Sequence, residues 1–356
     1  MERVFKNAVP LAGRIYQAAD GFEDRLRREL GNWKEVWGSL YYVTEDSVDS
    51  SGAEPEQIFW YRNLWLQPFR LEFDSINEAA CALRAIQRNW APALFTQFRR
   101  GSLIASKLPP ISEKPRPFPW LLPESAIGSW TLLDARTMIA SARCTSPFPG
   151  GAIQFIEDKE GPPSRAYLKL WEALVRSRRW PEPGDRCLDA GASPGGWTWA
   201  LAGLGAQVLA IDRAPLEARI AAMPGVEYIR HDAFTLRPED IGPIDWLFCD
   251  VICYPSRLFG WIEKWLTSGL CRNYVCTIKL QGRGYSLGVA NTGDSDEGFD
   301  IPRRFAAIPG SLVAHLWHNK HELTWIKLDE FSGGKISSIG IAGAQPPVVD
   351  ISLACV

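Results

Sequence analysis

A glycine-rich segment, DAGASPGGW at residues 189–197, is the strongest local signal of ligand binding in this chain. It lies between RCLDAGA, a pattern typical of a buried strand, and GGWTWALAGLG, a pattern typical of a helix. Glycines at such a turn let the backbone approach a ligand closely, and the N-terminus of the following helix offers free N–H donors. Asp212, ending the second strand, is suited to accept the two hydroxyls of a ribose, and Asp232, ending the third, to accept from an adenine amino group.

The glycine turn departs from the G-x-G-x-x-G pattern of dinucleotide-binding proteins, because Pro194 occupies it. No pyrophosphate cradle is evident, which favours a nucleoside-type ligand such as S-adenosylmethionine (SAM) over a nicotinamide cofactor. The alternative is a turn that only reverses the chain and binds nothing. The predicted cofactor-binding residues are Asp189, Gly191, Ser193, Pro194, Gly195, Gly196, Trp197, Asp212, Asp232 and Asp250.

The elements around this turn alternate between strand and helix from about residue 186 onward, and the later predicted helices include PLEARIAAM and the amphipathic PSRLFGWIEKWLTSGL. This alternation predicts an α/β fold with a doubly wound, Rossmann-like sheet and a ligand crevice at the carboxyl ends of its strands. SLVAHLWHN and ELTWIKLDE follow closely, as an antiparallel pair at a sheet edge would. Residues 1–158 instead predict a smaller α+β domain with a proline-dense linker or arm, residues 159–330 the Rossmann-like domain, and 331–356 a C-terminal tail.

Composition limits the function classes. The 356 residues carry a formal net charge of −2, so any nucleic-acid contact must come from a local patch. The N-terminus lacks a signal peptide, and the most apolar stretch is broken by Asp189 and Pro194, which predicts a cytoplasmic protein without a membrane span. The eight cysteines form no CxxC pair and favour buried thiols. His315, His318 and His321 are closely spaced, but we expect solvated loop histidines here and no metal.

The segment DAGASPGGW resembles the SAM-binding motif of the FtsJ-type RNA 2′-O-methyltransferases. The resemblance covers about residues 159–330 and is strongest to the branch that methylates large-subunit ribosomal RNA (the RlmM-like methyltransferase M proteins), on LKLWEAL, the CD dipeptide and the IKL run. It implies a SAM-dependent enzyme that methylates a ribose hydroxyl of RNA, with ribosomal RNA as the expected substrate. It also implies a catalytic Lys-Asp-Lys-Glu tetrad, which falls on Lys169, Asp250, Lys279 and Glu322.

These four residue types suit the implied chemistry. A ribose hydroxyl is a poor nucleophile at neutral pH, so a base must remove its proton as the oxygen attacks. The resemblance assigns Lys279 as that base, Lys169 and Asp250 as groups that position the hydroxyl and tune Lys279, and Glu322 as support for the lysines. The residue types alone leave open which of the two lysines gives up its proton. Taken singly, Lys169 and Glu322 are typical surface charges, and Asp250 is suited to cap a helix.

A basic segment at residues 84–116 is a candidate RNA-binding patch, because Trp90, Phe95 and Phe98 are interleaved with its arginines and lysines. The alternative is a solvated helix whose aromatic side chains face the core. Arg176, Arg178 and Arg179 form a second candidate. GFEDRLRREL resembles the opening helix of the ferredoxin-like domain of THUMP-containing RNA methyltransferases, although a full THUMP module is not traceable. This resemblance implies that residues 1–158 bind RNA and select the substrate, whereas residues 159–330 carry out catalysis. A methyltransferase of small molecules or proteins, and a non-catalytic RNA-binding protein, are the competing hypotheses.

Overall fold

The computed structural model describes residues 8–44, 57–125, 127–280 and 297–329. The chain divides into two compact units. One combines Met1–Pro115, Leu122–Gln154 and Ser337–Val356, and the other combines Arg116–Leu121 with Phe155–Ile336. The sequence predicts a boundary near residue 158, and its assignment of substrate selection to one domain and catalysis to the other stays a prediction.

The first unit is an α+β domain. Its helices are α1 (Glu23–Leu30), α2 (Ile76–Ile86) and α3 (Phe98–Ala105). Its strands are β1 (Ala8–Pro10), β2 (Gly13–Ala18), β3 (Glu35–Trp37), β4 (Leu40–Thr44), β5 (Tyr61–Leu66), β6 (Phe69–Glu72), β7 (Trp90–Pro92), β8 (Gly128–Leu132), β9 (Thr137–Ser141) and β10 (Arg143–Cys144). Over the described residues they form two five-stranded sheets, in the orders β1-β6-β9-β8-β7 and β10-β5-β2-β4-β3.

The second unit contains the predicted Rossmann-like sheet. Its helices are α4 (Tyr167–Ser177), α5 (Gly196–Gly203), α6 (Ala218–Ala221), α7 (Pro238–Ile241), α8 (Pro255–Ser268) and α9 (Glu297–Ala306). Its strands are β11 (Arg186–Ala190), β12 (Gln207–Asp212), β13 (Val226–Arg230), β14 (Ile244–Cys249), β15 (Cys271–Lys279), β16 (Ser311–Ala314) and β17 (Glu322–Lys327). In the described part of the chain these form one seven-stranded sheet, β13-β12-β11-β14-β15-β17-β16.

Strand direction in this sheet confirms the predicted fold class. β13, β12, β11, β14 and β15 are parallel, whereas β17 is antiparallel to β15 and β16 is antiparallel to β17 at the sheet edge. The strand order reverses between β11 and β14, and this reversal opens the crevice in which open α/β sheets bind ligands. The glycine turn follows β11 and Asp250 follows β14, so both lie at this crevice.

The residues of helix α8 explain which of its faces is buried and where the helix begins and ends. Leu258, Ile262 and Trp265 recur at helical spacing and are all buried. Pro255 occupies the first turn, where its missing N–H costs nothing, and Gly269 ends the helix in the left-handed conformation. The prediction from PSRLFGWIEKWLTSGL is therefore confirmed.

Two segments differ from the sequence-based expectation. PLEARIAAM was expected to be a full helix, but α6 is one turn, because the N–H of Glu217 donates to the carbonyl of Pro194 and Pro224 stops the helix. The proline-dense segment is more than a linker: Phe118 stacks on Trp171 of α4, with 4.8 Å between ring centroids. Among the described residues, none of the helices combines the length and apolar character that a membrane span requires.

Candidate active site

The four residues of the implied tetrad meet at one end of the second unit's sheet. Lys169 lies on α4, Asp250 follows β14 directly, Lys279 ends β15, and Glu322 begins β17. In the antiparallel pairing of β15 with β17, Lys279 and Glu322 are directly opposite each other. Sheet register therefore brings the lysine and the glutamate together although they are distant in sequence.

Asp250 is the hub of this cluster. The Lys169 ammonium donates to both of its carboxylate oxygens, at 2.9 and 2.8 Å, and Lys279 Nζ donates to Oδ1 at 2.5 Å. Lys169 Nζ also lies 3.3 Å from Glu322 Oε1. The four side chains are 8–16% exposed, so the cluster is largely buried but retains contact with solvent.

The charges of this cluster shift its pKa values in opposite directions. Burial lowers the pKa of Lys169, but the negative charges of Asp250 and Glu322 outweigh burial and leave that pKa above its usual value. Burial likewise raises the pKa of Asp250, but Lys169 and Lys279 outweigh it and leave the pKa lowered. Asp250 is therefore a carboxylate and Lys169 an ammonium ion at neutral pH.

Thr277 is a member of the site that the sequence analysis missed. Its hydroxyl donates to Asp250 Oδ1 at 2.6 Å. Thr277 and Lys279 are two positions apart on β15 and so point to the same face of the sheet. The sequence signal for Thr277 was its position two residues before Lys279, near the end of a predicted strand.

Behind the tetrad, the buried Glu172 connects two of the elements that carry it. Glu172 lies one turn beyond Lys169 on α4 and is fully buried. Its Oε1 accepts from Arg176 Nε at 2.7 Å and from the N–H of Trp317 at 2.9 Å. Its Oε2 accepts from the N–H of His318 at 2.9 Å and contacts His318 Nδ1 at 2.8 Å. The carboxylate thereby ties α4 to the loop that leads into Glu322.

The environment of this glutamate shifts its pKa strongly. Burial raises the pKa of Glu172, but the guanidinium of Arg176 and the hydrogen bonds from His318 and Trp317 outweigh burial and lower it to about 2. The expectation of solvated loop histidines was wrong for two of the three: His318 packs against Glu172, and His315 is buried with Nε2 2.9 Å from the carbonyl of Lys320, whereas His321 is exposed.

The glycine turn is closed tightly against the loop after β14. Gly191 has a φ of +82°, and a Cβ there would lie 2.3 Å from Cγ2 of Val251. Gly195 begins α5 with a φ of +119°. Both positions therefore require glycine. Trp197 is buried and donates from Nε1 to the carbonyl of Ala166 at 2.9 Å, so its indole fixes α5 against α4.

Three aspartates surround the turn. Asp189 is fully buried, accepts from the Thr198 hydroxyl at 2.6 Å, and has a pKa raised by burial to about 7. Asp212 ends β12, and its carboxylate accepts from the N–H of Ser193 at 3.0 Å, which fixes the turn. Asp232 Oδ2 accepts from Arg257 Nη2 at 3.1 Å.

The residues of the two basic segments predicted to bind RNA differ in their exposure to solvent. Trp90 is 2% exposed and donates to the carbonyl of Leu83, Phe95 is partly buried against a core cluster, and Phe98 is 62% exposed. Trp90 and Phe95 therefore follow the alternative of core-facing rings, whereas Phe98 stays a candidate stacking platform. Arg176 is buried against Glu172, which removes it from the second candidate patch.

The described residues contain no group of three or more His, Cys, Asp or Glu side chains that could hold a metal ion. Cys187, Cys249, Cys271 and Cys276 are free and buried in strands, as the sequence predicts. Burial raises the pKa of each of these thiols. Because the thiolate is the reactive form of cysteine, these buried thiols in the strands of the sheet are unreactive.

The second unit contains a Rossmann-like sheet with a polar cluster at its crevice, and comparison with known proteins shows what this unit is similar to. Residues 162–274 match the family described as FtsJ-like methyltransferase. A protein called ribosomal RNA large subunit methyltransferase M from Azoarcus sp. is 36% identical over 190 residues, which are 51% of this chain and 50% of that protein. A protein of the same name from Azotobacter vinelandii is 40% identical over 124 residues, 33% of this chain and 35% of that protein.

A third protein of that name, from Halorhodospira halophila, is 36% identical over 194 residues and 54% of each chain. The predicted resemblance to the FtsJ-like methyltransferases, and to the methyltransferase M proteins among them, is thereby confirmed. The chain spans about half the length of the curated relatives it matches.

Proposed function

We propose that this protein is a cytoplasmic, SAM-dependent RNA 2′-O-methyltransferase that acts on ribosomal RNA. One observation carries the proposal: two lysines and two carboxylates converge in a largely buried cluster beside the glycine turn at the strand-order reversal. The names of the relatives support a ribosomal RNA substrate.

The residues around the glycine turn fit a nucleoside-type cofactor. Gly191 and Gly195 have positive φ and pack against Val251 and Ile220, which fixes the turn at the N-terminus of α5, where free N–H groups can donate to a ligand. Asp212 stands at the end of β12, where a carboxylate can accept the two ribose hydroxyls. Asp189 Oδ1 is a buried oxygen for which the described residues supply no hydrogen-bond partner. Gly191, Ser193, Pro194, Gly195, Gly196, Trp197, Asp232 and Asp250 complete the proposed cofactor site.

Bound SAM supplies an electrophilic methyl group on a sulfonium ion. Lys169, held as an ammonium ion by Asp250 and Glu322, is unsuited to accept a proton and instead donates a hydrogen bond to the ribose hydroxyl. Lys279, which the family resemblance assigns as the base, takes the hydroxyl proton as the oxygen attacks the methyl group. Asp250 keeps both lysines in place and balances the positive charge that forms on Lys279.

The test is transfer of a labelled methyl group from SAM to an unmodified large-subunit ribosomal RNA transcript of Azoarcus sp., followed by nucleoside analysis. Wild type is expected to form a 2′-O-methylated nucleoside. Lys279→Ala is expected to lose about 10²- to 10⁴-fold in rate, as loss of a general base does. Lys264→Ala, which removes an exposed lysine of α8, is the matched control and should retain the rate.

A base-methylated product would contradict the ribose chemistry. Full activity in Lys279→Ala would contradict the role of that lysine. Measurable SAM binding without transfer to RNA would favour a small-molecule or protein substrate instead.

A further inference from the structure

The loop that follows Asp250 exposes two large apolar side chains. Ile252 is 78% exposed and Tyr254 is 71% exposed, the two highest fractions among the large apolar side chains of the described residues. Both lie within four residues of Asp250, the hub of the tetrad. An exposed apolar pair at the mouth of a ligand crevice needs a reason, because burying such side chains is ordinarily favourable.

The loop backbone is fixed, so this exposure belongs to an ordered segment. Val251 packs against Gly191 so closely that no side chain fits between them. The carbonyl of Tyr254 accepts from the N–H groups of Arg257 and Leu258, which starts α8. The loop therefore presents Ile252 and Tyr254 from a rigid base.

Contacts at its two ends place the loop between the tetrad and Asp232. Asp250, which binds both lysines, immediately precedes the loop. Arg257, in the first turn of α8 just after the loop, donates from Nη2 to Asp232 Oδ2 at 3.1 Å. Ile252 and Tyr254 therefore belong to a segment that is anchored to the tetrad at one end and to Asp232 at the other.

We propose that Tyr254, with Ile252, is the binding platform for the unpaired base of the nucleotide that is methylated; this rests on the proposed function. The 2′-oxygen and the base are borne by adjacent carbons of one ribose, so the base lies close to a hydroxyl held by Asp250 and the lysines. Four residues of chain reach at most about 14 Å, which keeps Tyr254 within this distance of Asp250. RNA is commonly recognised by stacking unpaired bases on aromatic side chains.

The platform is small, which argues against a protein partner. A stable protein interface buries about 800 Å² on each side, far more than two side chains provide. A single base stacked on one ring is the occupant that this area fits.

The test measures steady-state methyl transfer to the same RNA transcript in wild type, Tyr254→Ala and Tyr254→Phe. Stacking on an aromatic ring changes binding by about 5- to 150-fold, so Tyr254→Ala should raise KM for RNA by this factor. KM for SAM should stay within about twofold of wild type. Tyr254→Phe keeps the ring and should restore KM for RNA. Leu121→Ala, which removes an exposed apolar side chain elsewhere in the same unit, is the matched control.

Each of the remaining outcomes refutes either the platform or the proposed function. If wild type forms 2′-O-methylated nucleoside and Tyr254→Ala leaves KM for RNA unchanged, the platform is refuted while the proposed function stands. If KM for SAM rises instead, the side chain contacts the cofactor and the inference is wrong. If wild type forms no 2′-O-methylated nucleoside on RNA, the proposed function fails and this inference falls with it.

Discussion

Replacing Glu172 by glutamine tests whether the buried carboxylate stabilises the second unit. The four contacts to its oxygens hold the pKa of Glu172 at about 2, compared with 4.5 for an unperturbed glutamate. Each tenfold change in acid dissociation corresponds to 1.36 kcal/mol, so the ionised form contributes about 3 kcal/mol at neutral pH. Glutamine has the same shape without the charge, and its amide nitrogen faces N–H donors. Glu172→Gln should therefore lower the free energy of unfolding at pH 7 by about 3 kcal/mol.

The difference in stability between wild type and Glu172→Gln should depend on pH, and the direction follows from the lowered pKa of Glu172. A carboxyl whose pKa is lower in the folded state stabilises the fold above its unfolded pKa, and the stabilisation is lost as pH falls through the folded value. The difference between wild type and Glu172→Gln should therefore be full at pH 7. At pH 3, between the two pKa values, it should shrink to about 1 kcal/mol.

Hydrogen exchange is the appropriate assay, because a chain with two compact units need not unfold in one step. The amides of Trp317 and His318 donate directly to the carboxylate and report its loss locally. Glu263→Gln is the matched control, because Glu263 forms only an exposed ion pair with Arg304 and such pairs contribute about 0–1 kcal/mol. An effect at pH 7 no larger than in this control, or one that does not change with pH, would refute the reasoning.

Three further changes have defined outcomes. Asp189→Asn removes a carboxyl whose pKa in the folded state is raised to about 7. Because ionising this buried carboxyl destabilises the fold, the stability of the variant relative to wild type should increase by about 3 kcal/mol from pH 5 to pH 8.5, measured by hydrogen exchange in β11; a constant difference would contradict this. Thr277→Val removes a hydrogen bond to Asp250 and should lower kcat about tenfold, whereas Thr277→Ser should retain it, by steady-state methyl transfer. Phe118→Ala removes a ring stacked on Trp171 and should destabilise α4 by about 1–3 kcal/mol, measured by hydrogen exchange; unchanged protection in α4 would argue against it.

The sheet and the tetrad were largely predictable because strand ends carry much of the information. Asp250 and Lys279 follow apolar runs that are unmistakable as buried strands, and parallel strands bring their carboxyl ends to one edge. Glu322 begins the next strand in antiparallel register, which places it opposite Lys279. The strand pattern therefore places Asp250 and Lys279 at one edge of the sheet, whereas the set of four, with Lys169 and Glu322, was identified from the resemblance. Their roles, and the cofactor, rest on the resemblance and stay predictions.

Contacts between distant segments were not predictable. Glu172 lies in LKLWEAL, where a charged residue suggests a solvent-exposed helix face, and its partners Trp317 and His318 come from a loop far along the chain. The burial of the Trp90 side chain was not predicted for a related reason. Its basic neighbours suggested an RNA-facing ring, but an indole between a helix and a strand is buried when its N–H finds a backbone carbonyl.

The path of the chain between the two units limits how this protein can be divided. The chain enters the second unit at Arg116, leaves it after Leu121 and re-enters at Phe155. A gene fragment beginning at residue 159 would encode the whole sheet and all four tetrad residues, yet it would lack Phe118. Trp171, two residues beyond Lys169, would then lose the ring that covers one of its faces. The second unit therefore cannot be transferred as one continuous segment without loss. Recombination that exchanges it in this way would remove packing from α4, the helix that carries Lys169.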